Sequence, residues 1–446
     1  MKKIRIGSGA GYAGDRLEPA LELMEKGNLD YIGFECLAER TISLGQQDKA
    51  KNPEKGYNSL LEYRMERVLP LAYQNKIKVI TNMGSANPIC AAKKVREIAA
   101  AAGLSGMKIA AVTGDDVLDK LGQYENREIW ETGRTLRELD GEIVSANAYM
   151  GCTPIVEALK ADADVIVTGR VSDPALFLAP LIYEFGWALD DWDKLGKGTL
   201  IGHLLECGGQ VAGGYFADPG QKDVPDLERL GFPIIEASED GTFFVTKVEG
   251  SGGCITRHTC IEQMIYEIHD PHRYLTPDVV ADFSEVQFTE IGKDKVEVRG
   301  ATGHPKTDTL KVSVGYKDCF IGEGEISYGG TGSLARAELA ADIVKKRFEL
   351  TGIELDEMKI DYIGMNATYW NHNYSYTIPD EVRLRVSGRT KSFETARKIG
   401  REVEALYTNG PAGGGGARQN VREIMSIASI LIDRHDVEPV VTYMEV

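Results

Sequence analysis

The sequence contains no C-x-x-C pair. Its seven cysteines, Cys36, Cys90, Cys152, Cys207, Cys254, Cys260 and Cys319, are scattered along 446 residues. An odd number without framework spacing excludes a disulfide scaffold, argues against structural zinc and suits a reducing cytoplasm. Long apolar runs are also missing. IMSIASILI at 424–432 is among the longest and falls far short of a bilayer span. The opening MKKIRIGSG lacks the apolar stretch of a signal peptide, so a cytoplasmic location is expected. Basic residues are in deficit, 51 Lys and Arg against 68 Asp and Glu, for a net charge of −17. That excess repels phosphate backbones and anionic lipid, so neither nucleic acid nor membrane is an expected partner. A small anionic ligand stays open, because a few arginines and helix N-termini in one cleft can outweigh charge spread over the surface.

The length suggests two domains or more. In the first half, short apolar runs (KIRI, DYIGFE, IKVITN, MKIAAVTG, EIVSANAY and ADVIVTG) alternate with helical patterns such as AAKKVREIAAAAG. This alternation predicts a doubly wound, mostly parallel sheet covered on both faces, an α/β Rossmann-like domain over 1–285. Beyond it, KVEVRG, DTLKVSVGYKD, KIDYIGMN and EVRLRVSG alternate in polarity between long helices, which predicts an α+β domain over 286–446. There is no internal repeat, and the only low-complexity tract is Gly413 to Gly416.

Gly9, Gly11 and Gly14 spell G-x-G-x-x-G after the first run, and Glu35 stands near the position of the acidic residue of a dinucleotide-binding fingerprint. Gly7 and Ser8, however, separate KIRI from Gly9, and Asp15 reads as the N-cap of a helix with Pro19 in its first turn. Gly14 then precedes the helix, and its packing role in such a fingerprint is unfilled. NAD and flavin are disfavoured; a Gly-rich active-site loop is the better reading.

Ligands of open parallel sheets bind beyond the carboxyl ends of the strands. Those ends bring Gly11, Asp15 and Arg16, Glu35 with Glu39, Asn82 and Ser85, Asp115, and Arg170 with Asp173 toward one crevice. Each is also a plausible cap or turn residue, Asp115, Thr153 and Asp173 above all. Two glycine clusters add candidates. KVEGSGGCIT places Ser251, Gly252 and Gly253 before a helix, with Cys254 as a potential nucleophile at its N-terminus and Lys247 and Glu249 as acid–base groups; packing or solvation is the plain alternative for all three. NGPAGGGGARQ ends one helix and predicts another beginning near Arg418, which with Gly414 and Gly415 would form an anion site or a plain hinge. His269 and His272 flank Pro271 in a surface turn, and the other histidines are isolated. A divalent cation such as magnesium on rim carboxylates stays open.

Together GSGAGYAGDR, YIGFECLAERT, TGRVSDPALFLAP, ECGGQVAGGYFADPG, VEGSGGCIT and NGPAGGGGARQ resemble the acyclic terpene utilisation protein AtuA family over nearly the whole chain. The family takes its name from a bacterial pathway that breaks down branched terpenoids as acyl-CoA esters, so the resemblance implies a catabolic role. Some relatives carry a small extra C-terminal domain or are encoded beside a separate small protein; with VEPVVTYMEV at its end, this chain is expected to leave that part to a small AtuA-like companion subunit. A homo-oligomer is expected as well. The leading expectation is a hydro-lyase (hydratase) or isomerase acting on a small carboxylic acid or its CoA thioester, with Asp15 or Glu35 moving the proton, Asp173 on the same rim, Arg170 fixing the substrate and the Gly-rich loops donating N–H groups. A nucleotide-dependent oxidoreductase using the opening loop, and a non-catalytic scaffold or acyl-binding subunit, are the alternatives.

Overall fold

The structure is a computed structural model and describes residues 1–369 and 379–446. The chain divides into two compact units, one comprising 1–139, 144–315 and 427–446, the other 140–143 and 316–426. Residues 286–315 and the last 20 residues, 427–446, therefore belong with the N-terminal part.

The first unit is built on a ten-stranded sheet. Its centre consists of β1 (Lys3–Ala10), β2 (Tyr31–Phe34), β3 (Lys78–Thr81), β4 (Lys108–Thr113) and β6 (Val165–Thr168), in the order β1-β2-β3-β6-β4 and all parallel. Every residue of β2 and β6 is buried, as expected of central strands covered on both sides. Ile32 and Phe34 join a core formed with the helices Glu18–Lys26, Leu61–Asn75 and Pro88–Ala101. Gly33 lies between them in the strand and faces the other way. A Cβ there would come within 2.3 Å of the Phe177 ring, on the helix Ala175–Phe185.

The fold is thus mixed α/β, but its sheet is not mostly parallel. On one side β1 is followed by β7 (Pro233–Ser238), β8 (Phe243–Lys247), β12 (Lys295–Arg299) and β11 (Gln287–Gly292), each antiparallel to its neighbour, and at the other end β18 (Val440–Glu445) is antiparallel to β4. The strand expected from EIVSANAY, β5 (Glu142–Ala148), forms but lies outside this sheet and pairs with β14 (Thr309–Gly329). A small sheet of β9 (Tyr274–Leu275), β10 (Val280–Asp282) and β13 (Thr302–His304) completes the strands of the first unit.

In the second unit, part of β14 lies in a sheet ordered β15 (Glu357–Ile363), β16 (Glu381–Thr390), β14, β17 (Gly414–Asp433). The alternation in EVRLRVSG turns Val382, Leu384 and Val386 into a core with Ala337, Val344 and Phe348 of the helix Ser333–Thr351 and Ile399 and Val403 of the helix Phe393–Glu404. The helix expected near Arg418 is absent: Gly414, Gly415 and Arg418 open the long strand β17. Glycine there has a packing reason, since a Cβ on Gly414 would stand 3.1 Å from the Tyr328 ring. Among the described residues no helix is long and apolar enough to cross a membrane.

The helix Trp192–Glu206 delivers site residues at its C-terminal end and is held by a close backbone approach at Gly196, where a Cβ would lie 1.9 Å from the Thr302 carbonyl oxygen of β13. Gly196→Ala must push the helix off β13 and is expected to cost about 1–3 kcal/mol, read as a lower urea midpoint at unchanged slope.

Candidate active site

The loops after β1, β2 and β6 and the end of the helix Trp192–Glu206 enclose a cleft of about 650 Å³. Its lining includes the carboxylates Asp15, Glu35, Glu39, Asp173, Glu206 and Glu267, and Arg170 is the only cationic residue among them.

After β1 the chain turns past the end of that helix so closely that a Cβ on Gly11 would lie 2.3 Å from the Cys207 carbonyl carbon. Only glycine fits. Asp15 does not cap a helix: the helix starts at Glu18 with Leu17 at its cap, and the Asp15 carboxylate accepts the Gly11 N–H at 2.9 Å and the Arg16 N–H at 2.8 Å. Pro19 does stand in the first turn, as the spacing predicts, and Gly14 does precede the helix. The strand, however, runs to Ala10, so Gly9 lies inside it, next to its last residue, rather than separated from it by two residues. The exposed Arg16 side chain reaches the Leu227 carbonyl at 3.3 Å, away from the lining.

After β2, one oxygen of Glu35 accepts the Leu37 N–H and the Asn82 amide, both at 2.8 Å, while Asn82 in turn accepts the Cys36 N–H at 2.7 Å. Asn82 therefore positions Glu35 rather than lining the cleft. Arg64, fully buried on the helix below, donates to the Asp15 carbonyl at 2.9 Å and contacts the Cys36 sulfur at 2.8 Å, tying the first two loops together. Burial and the neighbouring charge of Asp173 push the Glu35 carboxyl well above the usual carboxylate range, which favours its protonated form.

After β6, Arg170 is fully buried. Its Nε donates to the Val171 carbonyl at 2.8 Å, its two terminal nitrogens donate to the Leu37 carbonyl and the Asp173 carboxylate, and its plane lies 4.3 Å from the centre of the Tyr149 ring. Arg170 thus lies in the cleft lining with its nitrogens engaged by the protein itself. Asp115 is no helix cap either: it accepts the Arg170 N–H at 3.0 Å and the Asn147 amide at 2.8 Å, and burial raises its carboxyl to about 6. Thr153 is the first residue of its helix, behind Cys152 at the cap, and Asp173 stands one residue before the cap Pro174 of its own.

The sequence reading missed the group at the end of the helix Trp192–Glu206. His203 is not isolated. Its Nδ1 lies 2.7 Å from one oxygen of Glu206 and its Nε2 lies 3.1 Å from the Met264 carbonyl, while the other Glu206 oxygen is buried with no hydrogen-bond partner. Burial pushes the Glu206 carboxyl up to about 7 despite the imidazole beside it. Burial also weakens His203 as a base, but the Glu206 charge and hydrogen bond more than reverse this and leave the imidazole pKa raised. A histidine and a glutamate three apart in the otherwise apolar GTLIGHLLE were the available signal.

The glycine clusters do not join the lining. Lys247 is buried and spends its ammonium on the Ser251 carbonyl at 2.7 Å and on Asp294 at 3.3 Å. Cys254 precedes the cap Thr256 of a helix that starts at Arg257, so it lacks the helix-terminal position expected of it, and burial raises its thiol pKa instead of lowering it. Glu249, Gly252, Gly253 and the buried Ser85 also lie outside the lining, and Gly414, Gly415 and Arg418 belong to the second unit. Among the described residues no group of three or more His, Cys, Asp or Glu is placed to hold a metal ion.

A family model described as acyclic terpene utilisation family protein AtuA matches residues 4–443. The chain belongs to that family. Membership suggests a role in terpene catabolism. No curated protein and no solved structure matches the chain.

The raised carboxyls tie stability to pH. As pH rises from the ordinary 4.5 of glutamate toward about 7, the unfolded chain gives up the Glu206 proton before the folded one does. Stability therefore falls across that window, and Asp115 adds to the fall between 3.8 and about 6. Urea midpoints are expected to be higher at pH 5 than at pH 7, and Glu206→Gln should flatten the difference.

Proposed function

We propose that this protein is an acid–base catalyst, an isomerase or hydratase, acting on the acyl part of a CoA thioester. The observation that carries this reading is the pairing, in one cleft, of Glu35, whose surroundings favour the protonated form, with Glu206, whose free oxygen has a histidine behind it. Two titratable groups with different surroundings are what proton removal and proton return require.

Each role follows from the hydrogen bonds. The Met264 carbonyl can only accept, so Nε2 of His203 carries a hydrogen, and Nδ1 exchanges the remaining proton with Glu206. A proton taken from the carbon next to a thioester carbonyl by the free Glu206 oxygen can thus be shared with His203. The electron pair moves onto the carbonyl oxygen, where the Glu35 O–H donates a hydrogen bond to the developing charge. Return of the proton at another carbon gives an isomer, and addition of water to the conjugated double bond gives a hydrated product. Arg170 and Asp173 set the local charge, and Asp15 shapes the loop through Gly11.

The charge balance of the cleft favours the thioester over the free acid. With Glu39 held ionised among the six carboxyl groups of the lining, and its sole guanidinium buried and already paired with Asp173, a substrate carboxylate at the reacting end would be repelled, whereas a thioester is neutral there. A nucleotide-dependent reaction finds less support: the Gly11 N–H that would face a pyrophosphate is donated to Asp15, which places negative charge at that point.

The test is exchange chemistry. Straight and branched saturated and enoyl CoA thioesters incubated with the protein in D2O should gain deuterium next to the thioester or along the conjugated chain, followed by proton NMR. Glu35→Gln and Glu206→Gln should each slow incorporation by about 10²-fold or more with unchanged circular dichroism. Absence of both exchange and hydration across the set would overturn the proposal.

A further inference from the structure

A second cavity of about 420 Å³ adjoins the acidic cleft and shares Glu39, Asp173 and Glu267 with it. Away from that shared wall its character changes. Trp130, Tyr274, Leu310 and Leu431 supply aromatic and aliphatic surface, and the charged residues there are Lys311 and Arg273. Trp130 is 55 % exposed, unusual for so large an apolar ring. Lys311 is engaged: its ammonium lies 3.2 Å from Glu39 and 5.0 Å from the centre of the Tyr149 ring. Burial opposes ionisation of Glu39, but the Tyr149 hydroxyl and the Lys311 charge overcome it and hold the carboxyl down at about 2, so Glu39 stays charged. The Arg273 guanidinium, by contrast, has no ion pair or side-chain hydrogen bond among the described residues.

The cavity is therefore polarised, with carboxylates where it meets the cleft, an apolar middle and an uncommitted guanidinium in its outer wall. We propose that this cavity is a substrate-tail subsite, holding an apolar acyl body whose anionic group pairs with Arg273. The orientation follows from charge, because an anion at the shared wall would face Glu39, Asp173 and Glu267, whereas at Arg273 it meets a planar donor suited to carboxylate or phosphate. The anion is a carboxylate at the far end of the acyl chain, because the CoA phosphates lie on the other side of the thioester. The subsite rests on the acid–base reading of the cleft, since it is that chemistry that places the neutral, reacting end among the carboxylates.

Trp130 offers a readout independent of turnover. Octanoate, octan-1-ol and coenzyme A are titrated against the full chain while tryptophan emission is followed, with Trp130→Phe to assign the signal. Octanoate is expected to change Trp130 emission, and Arg273→Ala, at an exposed position, should weaken its binding by about ten- to a hundredfold while leaving octan-1-ol binding unchanged. A response to octanoate and not to coenzyme A supports the acyl-tail subsite, whereas a response to coenzyme A that is lost in Arg273→Ala would place the CoA arm there and overturn it. No emission change with octanoate, or equal octanoate binding by Arg273→Ala and wild type, likewise overturns the subsite. Deuterium exchange by the wild type together with binding indifferent to Arg273 would refute the subsite and spare the proton chemistry; Arg273-dependent binding in a protein that exchanges nothing would do the reverse.

Discussion

A guanidinium without access to water underlies this site. Arg170 joins the loop after β2, through the Leu37 carbonyl, to the loop after β6, through Val171 and Asp173, and lies against the ring of Tyr149. Burying a cation costs several kcal/mol unless its partners compensate, and here the compensation comes from the same loops that carry Glu35 and Asp173. Its positive charge is also what allows several carboxyl groups to share one crevice. Without it, burial and mutual repulsion would drive more of them to the neutral form.

Given that cation, the carboxyls separate by environment. Glu39 meets a lysine and a tyrosine hydroxyl and stays ionised; Glu35 meets an asparagine, a backbone N–H and another carboxylate, and its pKa is pushed well up; Glu206 meets a histidine and its pKa sits near neutrality. One crevice thus holds carboxyl groups in three different electrostatic settings. The net charge of −17 would not have suggested this division, because it depends on which neighbour each carboxyl meets.

Much of the central sheet was legible in the sequence, because strands buried on both faces read as unbroken apolar runs, and the ends of those runs located Gly11, Asp15, Glu35, Arg170 and Asp173 correctly on the rim. The flanking antiparallel strands were less so, since alternation in KVEVRG does not say which sheet it will join. Side-chain roles failed where a local rule was applied to a residue with a distant partner. Asp115 and Asp15 have the composition of caps, yet Asp115 binds Arg170 across 55 positions and Asp15 folds back on Gly11. Gly414 and Gly415 read as a hinge before a helix, and strand pairing overrode that preference, as it commonly does for short segments. His203 and Glu206 went unnoticed because nothing in one sequence says that the far end of an apolar helix returns to the crevice.

The close passage of Gly11 against Cys207 and Gly208 brings two main chains into direct contact where most sites rely on side chains. The spacing between the loop that carries Asp15 and the helix end that carries Glu206 is consequently set by peptide geometry, which does not relax through rotamer changes. The two segments are held like jaws on a common hinge pin. The relative placement of these two segments is then fixed during folding, before any ligand arrives.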